Sequence, residues 1–288
     1  MKITNRDVNI FLDCSNNIVP SSHLARRHFT GRKKCSHRMK ILYADGYVKR
    51  FASPFISGNG KGEFIYYLSA KGRDILRQYS NRDTGYLLNP LKDAYTIPHR
   101  LLVAEFQTAS MFTPDDGYRT SFLYPRETKL RAIDMGGLIP DGILVVEKLS
   151  TSKALLMFLE VDMGTEPLAG DSSNSLRQKL ERYSACFDSP DTQRKINDAL
   201  GHDFQGFRVL FTVGGKRRSD NILLLCEKLK IEFVWITQSS NIKSGQIFDP
   251  VWENYKYQNL SLIAPYPGRD LGSDLGGDLP GDLTPRYK

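Results

Sequence analysis

Positive charge is concentrated in the first 82 of the 288 residues of this chain. That segment holds 16 Lys and Arg against 5 Asp and Glu, a net charge of +11, whereas residues 83–288 carry a net charge of −3. A basic segment followed by a mildly acidic one predicts two folded parts, the first of which binds a polyanion such as nucleic acid. The alternative is that the basic residues form a solvated surface without a partner.

Composition and apolar runs exclude several classes of protein. With 40% hydrophobic and 25% charged residues, the chain is predicted to fold rather than to be disordered or fibrous. The longest apolar stretches, 154–159 and 222–226, are far shorter than the ~20 residues that span a bilayer. The first residues are polar, so we expect no secretory signal. Four cysteines without a C-x-x-C pair favour a reducing compartment, and we expect a cytoplasmic protein without a membrane partner.

The spacing of apolar residues in the basic segment predicts three helices, a β-hairpin and a fourth helix. The helices are predicted at 6–15, 21–29, 32–44 and 69–80, and the two strands at 47–56 and 63–68, with the glycine-rich stretch 57–62 as the hairpin loop. This is the order of elements in a winged helix-turn-helix. The segments Leu42–Arg50 and Tyr66–Gly72 resemble the end of the recognition helix and the wing of bacterial winged-helix DNA-binding proteins. Residues 1–82 are therefore predicted to be a winged-helix domain that binds double-stranded DNA.

The third predicted helix carries polar and basic residues on its outer face. Burial of Cys35, Met39 and Leu42 leaves outside Lys33, Lys34, Ser36, His37, Arg38 and Lys40. A helix of this kind fits the major groove of DNA, where its cations neutralise phosphates or contact base edges. Lys61, at the tip of the hairpin, is predicted to touch the neighbouring backbone. The alternative is a winged helix used for protein contacts, in a homodimer or with a replication partner.

The rest of the chain predicts a linker at 83–98, a body at 99–264 and a flexible low-complexity tail at 265–288 with four G-x-D-L-like tetrads. The body contains helices predicted at 99–111, 173–188 and 219–230, and strands at 119–125, 142–149, 154–161, 207–213 and 232–237. This order indicates a mixed sheet flanked by helices. The fold class is therefore α/β in the body and α+β overall.

Three carboxylates are expected to converge at the end of one predicted strand. Glu160 and Asp162 are two residues apart and so face the same side of the strand, and Asp141 enters the neighbouring strand. Adjacent carboxylates repel unless a cation lies between them. Three oxygen ligands of this kind suit Mg²⁺ or Mn²⁺, which can activate a water against a phosphodiester. Two alternatives are a simple Asp141-Gly142 turn and a metal-free network with Lys179, Arg177 or Arg182.

Asp141 followed by Glu160-x-Asp162 resembles the PD-(D/E)XK core of restriction-endonuclease-like nucleases, which share the predicted order of elements. The lysine of that motif is replaced here by Asp162. The resemblance implies that Lys179, on the following helix, takes its place and assists the attacking water. It also adds Glu105, on the helix that opens the body, as a further candidate acid.

The larger pattern resembles the bacterial replication-relaxation family of plasmid proteins. The resemblance rests on Pro140–Gly142, Phe158–Glu166 and Lys179–Tyr183. It implies DNA binding in the replication or maintenance of a plasmid or mobile element. It leaves two hypotheses for the body, namely a metal-dependent endonuclease with Asp141, Glu160, Asp162 and Lys179 in its site, and a non-catalytic regulator that uses the same fold as a scaffold.

Overall fold

The computed structural model separates the chain into two compact units, Met1–Thr108 and Ala109–Lys288. It describes residues 2–53, 62–79, 89–90, 92, 94–112, 117–125, 128, 130, 135–151, 153–168, 175–243 and 245–263. The predicted hairpin tip with Lys61, much of the predicted linker and the predicted tail lie outside these residues. Within the described ranges, no helix has the length and apolarity needed to cross a membrane.

The N-terminal unit combines helices with a small antiparallel sheet. Its elements are α1 (Asn5–Asn16), β1 (Val19–Pro20), α2 (Ser21–His28), α3 (Arg32–Ala44), β2 (Val48–Ala52), β3 (Phe64–Leu68), α4 (Ala70–Tyr79), a short 3₁₀ helix (Ala94–Thr96) and most of α5 (Ile97–Ser110). The strands lie in the order β1-β3-β2. Strand β1 has only two residues, which is too short for a periodic pattern to predict.

Local sequence explains where the first helices begin and end. Thr4 caps α1, since its hydroxyl accepts a hydrogen bond from the Asp7 backbone while the Asp7 carboxylate accepts one from the Thr4 backbone. At the other end of the three-helix segment, Asp45 is the C-cap of α3, and Gly46 after it has a φ of 78°. This left-handed conformation favours glycine, so α3 ends where the Asp45-Gly46 pair predicts.

Helix α5 is attached to the first helices of the N-terminal unit by polar contacts. The side chain of Arg27 is fully buried, and its guanidinium donates to the Thr108 hydroxyl and to the Ala104 carbonyl at 2.9 and 2.8 Å. Asn17 donates to the carbonyl of Arg100 at 2.8 Å. These contacts join the first part of α5 to the N-terminal unit, which ends at Thr108; the domain start at residue 99 stays a prediction.

The C-terminal unit is built on a five-stranded mixed sheet. Its elements are β4 (Tyr118–Leu123), β5 (Gly142–Lys148), β6 (Lys153–Asp162), α6 (Leu176–Phe187), α7 (Pro190–Leu200), β7 (Phe207–Val213), α8 (Lys216–Leu229), β8 (Val234–Gln238) and α9 (Ser239–Lys243). The strand order is β4-β5-β6-β7-β8, antiparallel from β4 to β6 and parallel from β6 to β8. The predicted α+β class is confirmed. Helix α7 was not predicted, although Ser189 caps it and Pro190 opens it.

One face of the central strand β6 builds the main core. Leu156 and Phe158 pack into a large buried cluster that includes Leu180 and Tyr183 of α6 and Ile222 of α8. Because side chains alternate along a strand, the next residues on this face are Glu160 and Asp162. Both are buried, at 4% and 8% exposure. The apolar core therefore leads directly into two carboxylates at the end of β6.

Gly142, the first residue of β5, is required by close packing against the neighbouring strand. A Cβ at this position would lie 2.2 Å from the ring of Phe122 on β4. The glycine after Asp141 therefore serves sheet packing, and its conformation is an ordinary strand conformation.

We expect Gly142→Ala to lower the stability of the C-terminal unit by about 1–3 kcal/mol, the usual cost of overpacking. Thermal unfolding of the full chain measures this. Gly214→Ala is the matched control, since a Cβ there meets no atom within 4 Å. Equal melting temperatures for the two variants would contradict the packing argument.

Candidate active site

The carboxylate of Glu160 is the centre of a buried polar cluster at the end of β6. The hydroxyl of Tyr183 donates to its Oε1 at 2.5 Å, and the ammonium of Lys179 donates to its Oε2 at 3.3 Å. Lys179 also donates to Glu166 Oε1 at 2.9 Å. Both oxygens of Glu160 thus have a donor from α6.

Helical spacing explains why both donors reach the same carboxylate. Lys179 and Tyr183 are four residues apart on α6 and therefore share a face. Ser175 caps this helix by accepting a hydrogen bond from the Gln178 backbone. The ring of Tyr183 stacks on Phe158, with centroids 6.1 Å apart, and this contact holds its hydroxyl against the end of β6.

Burial controls the protonation of Glu160. Its pKa is raised from 4.5 to about 7, because burial disfavours the carboxylate. Lys179 opposes this rise, and the negative charge of Asp141 adds to it. Burial also raises the pKa of Tyr183 well above its usual value, as does the neighbouring Glu160. Tyr183 therefore remains a neutral donor.

Lys179 remains charged in this environment. Burial by itself lowers the pKa of its ammonium, but the carboxylates of Glu160 and Glu166 outweigh burial and raise the pKa above the ordinary value. A lysine held in this way stabilises nearby negative charge. It is a poor proton acceptor at neutral pH.

Asp141 joins the ends of β5 and β6. Its backbone N–H donates to the Leu159 carbonyl, and its Oδ2 accepts a hydrogen bond from the Val161 backbone, both at 2.8 Å. These two hydrogen bonds involve the residues on either side of Glu160, so Asp141 lies beside Glu160 and its charge raises the pKa of Glu160. The structure therefore brings Asp141, Glu160 and Lys179 together.

Asp162 is engaged by a different set of groups. Its Oδ1 accepts a hydrogen bond from the Gly164 backbone at 2.6 Å, and its Oδ2 accepts one from Arg218 Nε at 2.5 Å. Arg218, on the first turn of α8, also donates to the Glu166 carbonyl at 2.8 Å. Sequence reasoning missed Arg218 in this role, and the only signal for it was its place in the Lys216–Arg218 cluster.

Two carboxylates of the cluster, those of Asp141 and Glu160, are candidate ligands for a divalent cation. No group of three or more His, Cys, Asp or Glu that could hold a metal occurs among the residues the structure describes. Mg²⁺ commonly binds one or two protein carboxylates together with waters and substrate phosphates. Asp141 and Glu160 meet this requirement. The metal site of Asp141, Glu160 and Asp162 stays a prediction.

The network alternative raised from the sequence is present in part. Lys179 pairs with Glu160, whereas Arg177 pairs with Glu181 on the exposed side of α6 at 2.9 Å. Asp162 has Arg218 as its cation.

The predicted DNA-contacting residues of α3 divide into two groups. The exposed ones are Lys33, Lys34, Ser36, His37 and Lys40. Arg38 instead turns toward the fold, where its guanidinium forms a short ion pair with the fully buried carboxylate of Asp7. Arg38 therefore has a structural partner that the helical pattern could not reveal.

Glu105, on α5, pairs with His23 and Arg26 of α2. Its Oε2 lies 2.7 Å from His23 Nε2, and its Oε1 lies 3.5 Å from Arg26. These contacts attach α5 to α2.

Comparison with known proteins gives one match. The model of the replication-relaxation family matches residues 16–199, which is more than half of the chain. The chain belongs to the replication-relaxation family. The resemblance seen in the sequence is confirmed, and membership indicates a role related to plasmid replication. No curated protein and no solved structure matches the chain significantly.

The matched region contains most of the polar cluster of this family member. Asp141, Glu160, Lys179 and Tyr183 all lie within residues 16–199, whereas Arg218 lies beyond them. The ion pair between Asp162 and Arg218 thus uses one residue from the matched region and one from outside it.

We expect the stability of the metal-free protein to depend on pH through Glu160. Its folded pKa of about 7 exceeds 4.5, so between these values the folded state holds a proton that the unfolded state has lost. The free energy of unfolding therefore falls as pH rises from about 4.5 to about 7, by up to about 3 kcal/mol. Glu160→Gln should remove this part of the pH dependence.

Urea unfolding in EDTA at several pH values measures this difference between the native chain and the variant. Glu181→Gln, which changes an exposed carboxylate on the same helix, is the control. An identical pH dependence in the native chain and Glu160→Gln would refute the assignment.

Proposed function

We propose that this replication-relaxation protein binds double-stranded plasmid DNA and hydrolyses a phosphodiester bond with Mg²⁺ or Mn²⁺. The observation that carries the proposal is the pairing of buried Glu160 with Lys179 beside Asp141 at the end of β6. Membership of the replication-relaxation family supports a role related to plasmid replication.

Asp141 and Glu160 are the residues that would hold the cation. When bound, such an ion supplies a Lewis acid and a water of lowered pKa. Glu160 must give up its proton to act as a ligand, and Tyr183 keeps its carboxylate oriented. Lys179, which stays protonated, would stabilise the negative charge that develops on the phosphate.

The N-terminal unit supports the DNA-binding part of the proposal. Its order α1-β1-α2-α3-β2-β3, with a three-stranded sheet beside α3, is the order expected of a winged helix-turn-helix. The exposed cations of α3 supply the positive charge that phosphates require. Residues 1–82 as a whole carry +11.

A non-catalytic regulator of plasmid replication is the second candidate. The observation that favours it is that protein cations already pair with the acidic residues of the cluster. Lys179 pairs with Glu160 and Glu166, and Arg218 pairs with Asp162. In that case the polar cluster would serve the stability of the unit, and the DNA-binding surface would carry the function.

We expect the purified chain to convert supercoiled plasmid to nicked or linear product with Mg²⁺ or Mn²⁺ and not with EDTA. Glu160→Ala and Lys179→Ala should each lower the rate by about 100-fold or more, as losses of charge-stabilising groups commonly do. Agarose gel electrophoresis of the products over time measures the rates.

Arg177→Ala is the matched control, because Arg177 is an exposed cation on the same helix as Lys179. Equal rates for the control and both site variants would exclude catalysis at this site. Plasmid that stays intact while a gel shift still shows a complex would favour the regulator.

For the DNA-binding surface, the double variant Lys33→Ala with Lys40→Ala should weaken duplex binding. The slope of log K against log salt concentration should become shallower by about two, one for each lysine. The melting temperature should stay close to that of the native chain, since both lysines are exposed. Arg38→Ala should instead lower the melting temperature, because it leaves Asp7 buried without its cation. Fluorescence anisotropy at several salt concentrations and thermal unfolding separate the two effects; the reverse pattern would contradict the assignment.

A further inference from the structure

An arginine lies between two exposed aromatic rings at the end of α3. The guanidinium of Arg50, on β2, lies 4.2 Å from the ring centroid of Tyr43 on α3 and 4.0 Å from that of Phe64 on β3. Arg50 also hydrogen-bonds the hydroxyl of Tyr66, its neighbour across the strands. We call Tyr43, Arg50 and Phe64 the aromatic clamp.

Both rings remain accessible although the guanidinium covers one face of each. Tyr43 is 42% exposed and Phe64 is 41% exposed. The opposite face of the sheet is different, because Ile65 and Tyr67 there are buried against Ile97 of α5. The unit therefore leaves flat apolar surface open on the side of the sheet that adjoins α3.

The charge around the clamp is positive. Lys40 lies three residues before Tyr43, so the two share a face of α3, and that face continues back to His37 and Lys33. Lys71 is exposed beside the end of the same helix, where its ammonium donates to the Asp45 carbonyl at 2.8 Å. A ligand on the clamp would therefore lie among cations and is expected to be an anion with flat apolar parts.

Unpaired nucleic acid has this combination of properties. Its phosphates match the cations, and its free base faces stack on aromatic rings regardless of sequence. The bases of an intact duplex are already stacked on each other, so they offer no free face to a ring. A protein partner would have to bury its apolar surface among uncompensated lysines, which is unfavourable.

We propose that the aromatic clamp binds unpaired bases of a DNA strand next to the duplex held by α3. Tyr43 and Phe64 supply the stacking faces, and Arg50 holds the two rings in place from between them. This inference rests on the proposed function and extends it, since it names DNA with a single-stranded segment as the preferred substrate.

The test compares two fluorescent DNAs, a blunt duplex and the same duplex with a single-stranded extension of about ten nucleotides. We expect the native full-length chain to bind the extended DNA more tightly. Tyr43→Ala and Phe64→Ala should each weaken binding of the extended DNA by on the order of 10-fold, the usual loss for one stacking ring. Binding of the blunt duplex should change by less than about twofold.

Three further sets of variants keep the result interpretable. Tyr43→Leu and Phe64→Leu retain apolar bulk without a flat ring, and should weaken binding of the extended DNA in the same way even if an alanine variant is unstable. Tyr79→Ala removes an aromatic that is 59% exposed on α4, and should leave both affinities unchanged. The Tyr43→Trp variant reports stacking directly, since its fluorescence should be quenched by the extension, whereas Trp235 and Trp252 are buried in the other unit.

Equal losses on blunt and extended DNA would overturn the inference, because the rings would then contact the duplex itself. Unchanged binding of both DNAs by the ring variants would overturn it as well and would favour a protein partner for this surface. If the native chain binds neither DNA, the proposed function fails together with the inference. Tight binding of the blunt duplex with no preference for the extension leaves the proposed function intact and removes only the inference.

Discussion

A buried carboxylate at the end of the central strand is the interaction on which the C-terminal unit depends. Glu160 continues the apolar face of β6, so its charge has no access to bulk water and must be neutralised or paired within the protein. Helix α6 provides both solutions, with the neutral donor Tyr183 and the cation Lys179 one turn apart. The same burial that requires these partners raises the pKa of Glu160 to about 7. The position of α6, the protonation of the acid and the charge of the lysine thus have one cause.

Buried carboxylates also determine which cations each unit can offer to a ligand. Asp7 pairs with Arg38, and Asp162 pairs with Arg218. Removing one member of such a pair leaves a buried charge without compensation, so these cations are needed by the fold. The exposed lysines of α3 have no such constraint. The net charge of the sequence counts the paired cations and the exposed lysines alike, although the exposed lysines are the ones that remain available for phosphates.

Much of the fold could be predicted from local patterns. Apolar runs predicted the five strands of the larger sheet, and the Asp45-Gly46 pair predicted the end of α3. Helix α7 was missed, although Ser189-Pro190 is a local signal for the start of a helix. The attachment of α5 to the first two helices could not be predicted. It depends on Arg27 and Asn17 finding acceptors on α5 across some 80 residues of sequence, and no local pattern records such a contact.

The sequence by itself determined the identity of the elements and the candidate acids, because strand and helix periodicity place Glu160 with Asp162 and Lys179 with Tyr183 on shared faces. Only the tertiary structure decided how these faces meet. The carboxylates of Glu160 and Asp162 point to the same side of β6, yet one meets α6 and the other meets α8. The aromatic clamp arose in the same way, from three residues on different elements whose proximity depends on strand register. Side-chain chemistry is local to the chain, whereas the pairing of charges and rings depends on packing between distant segments.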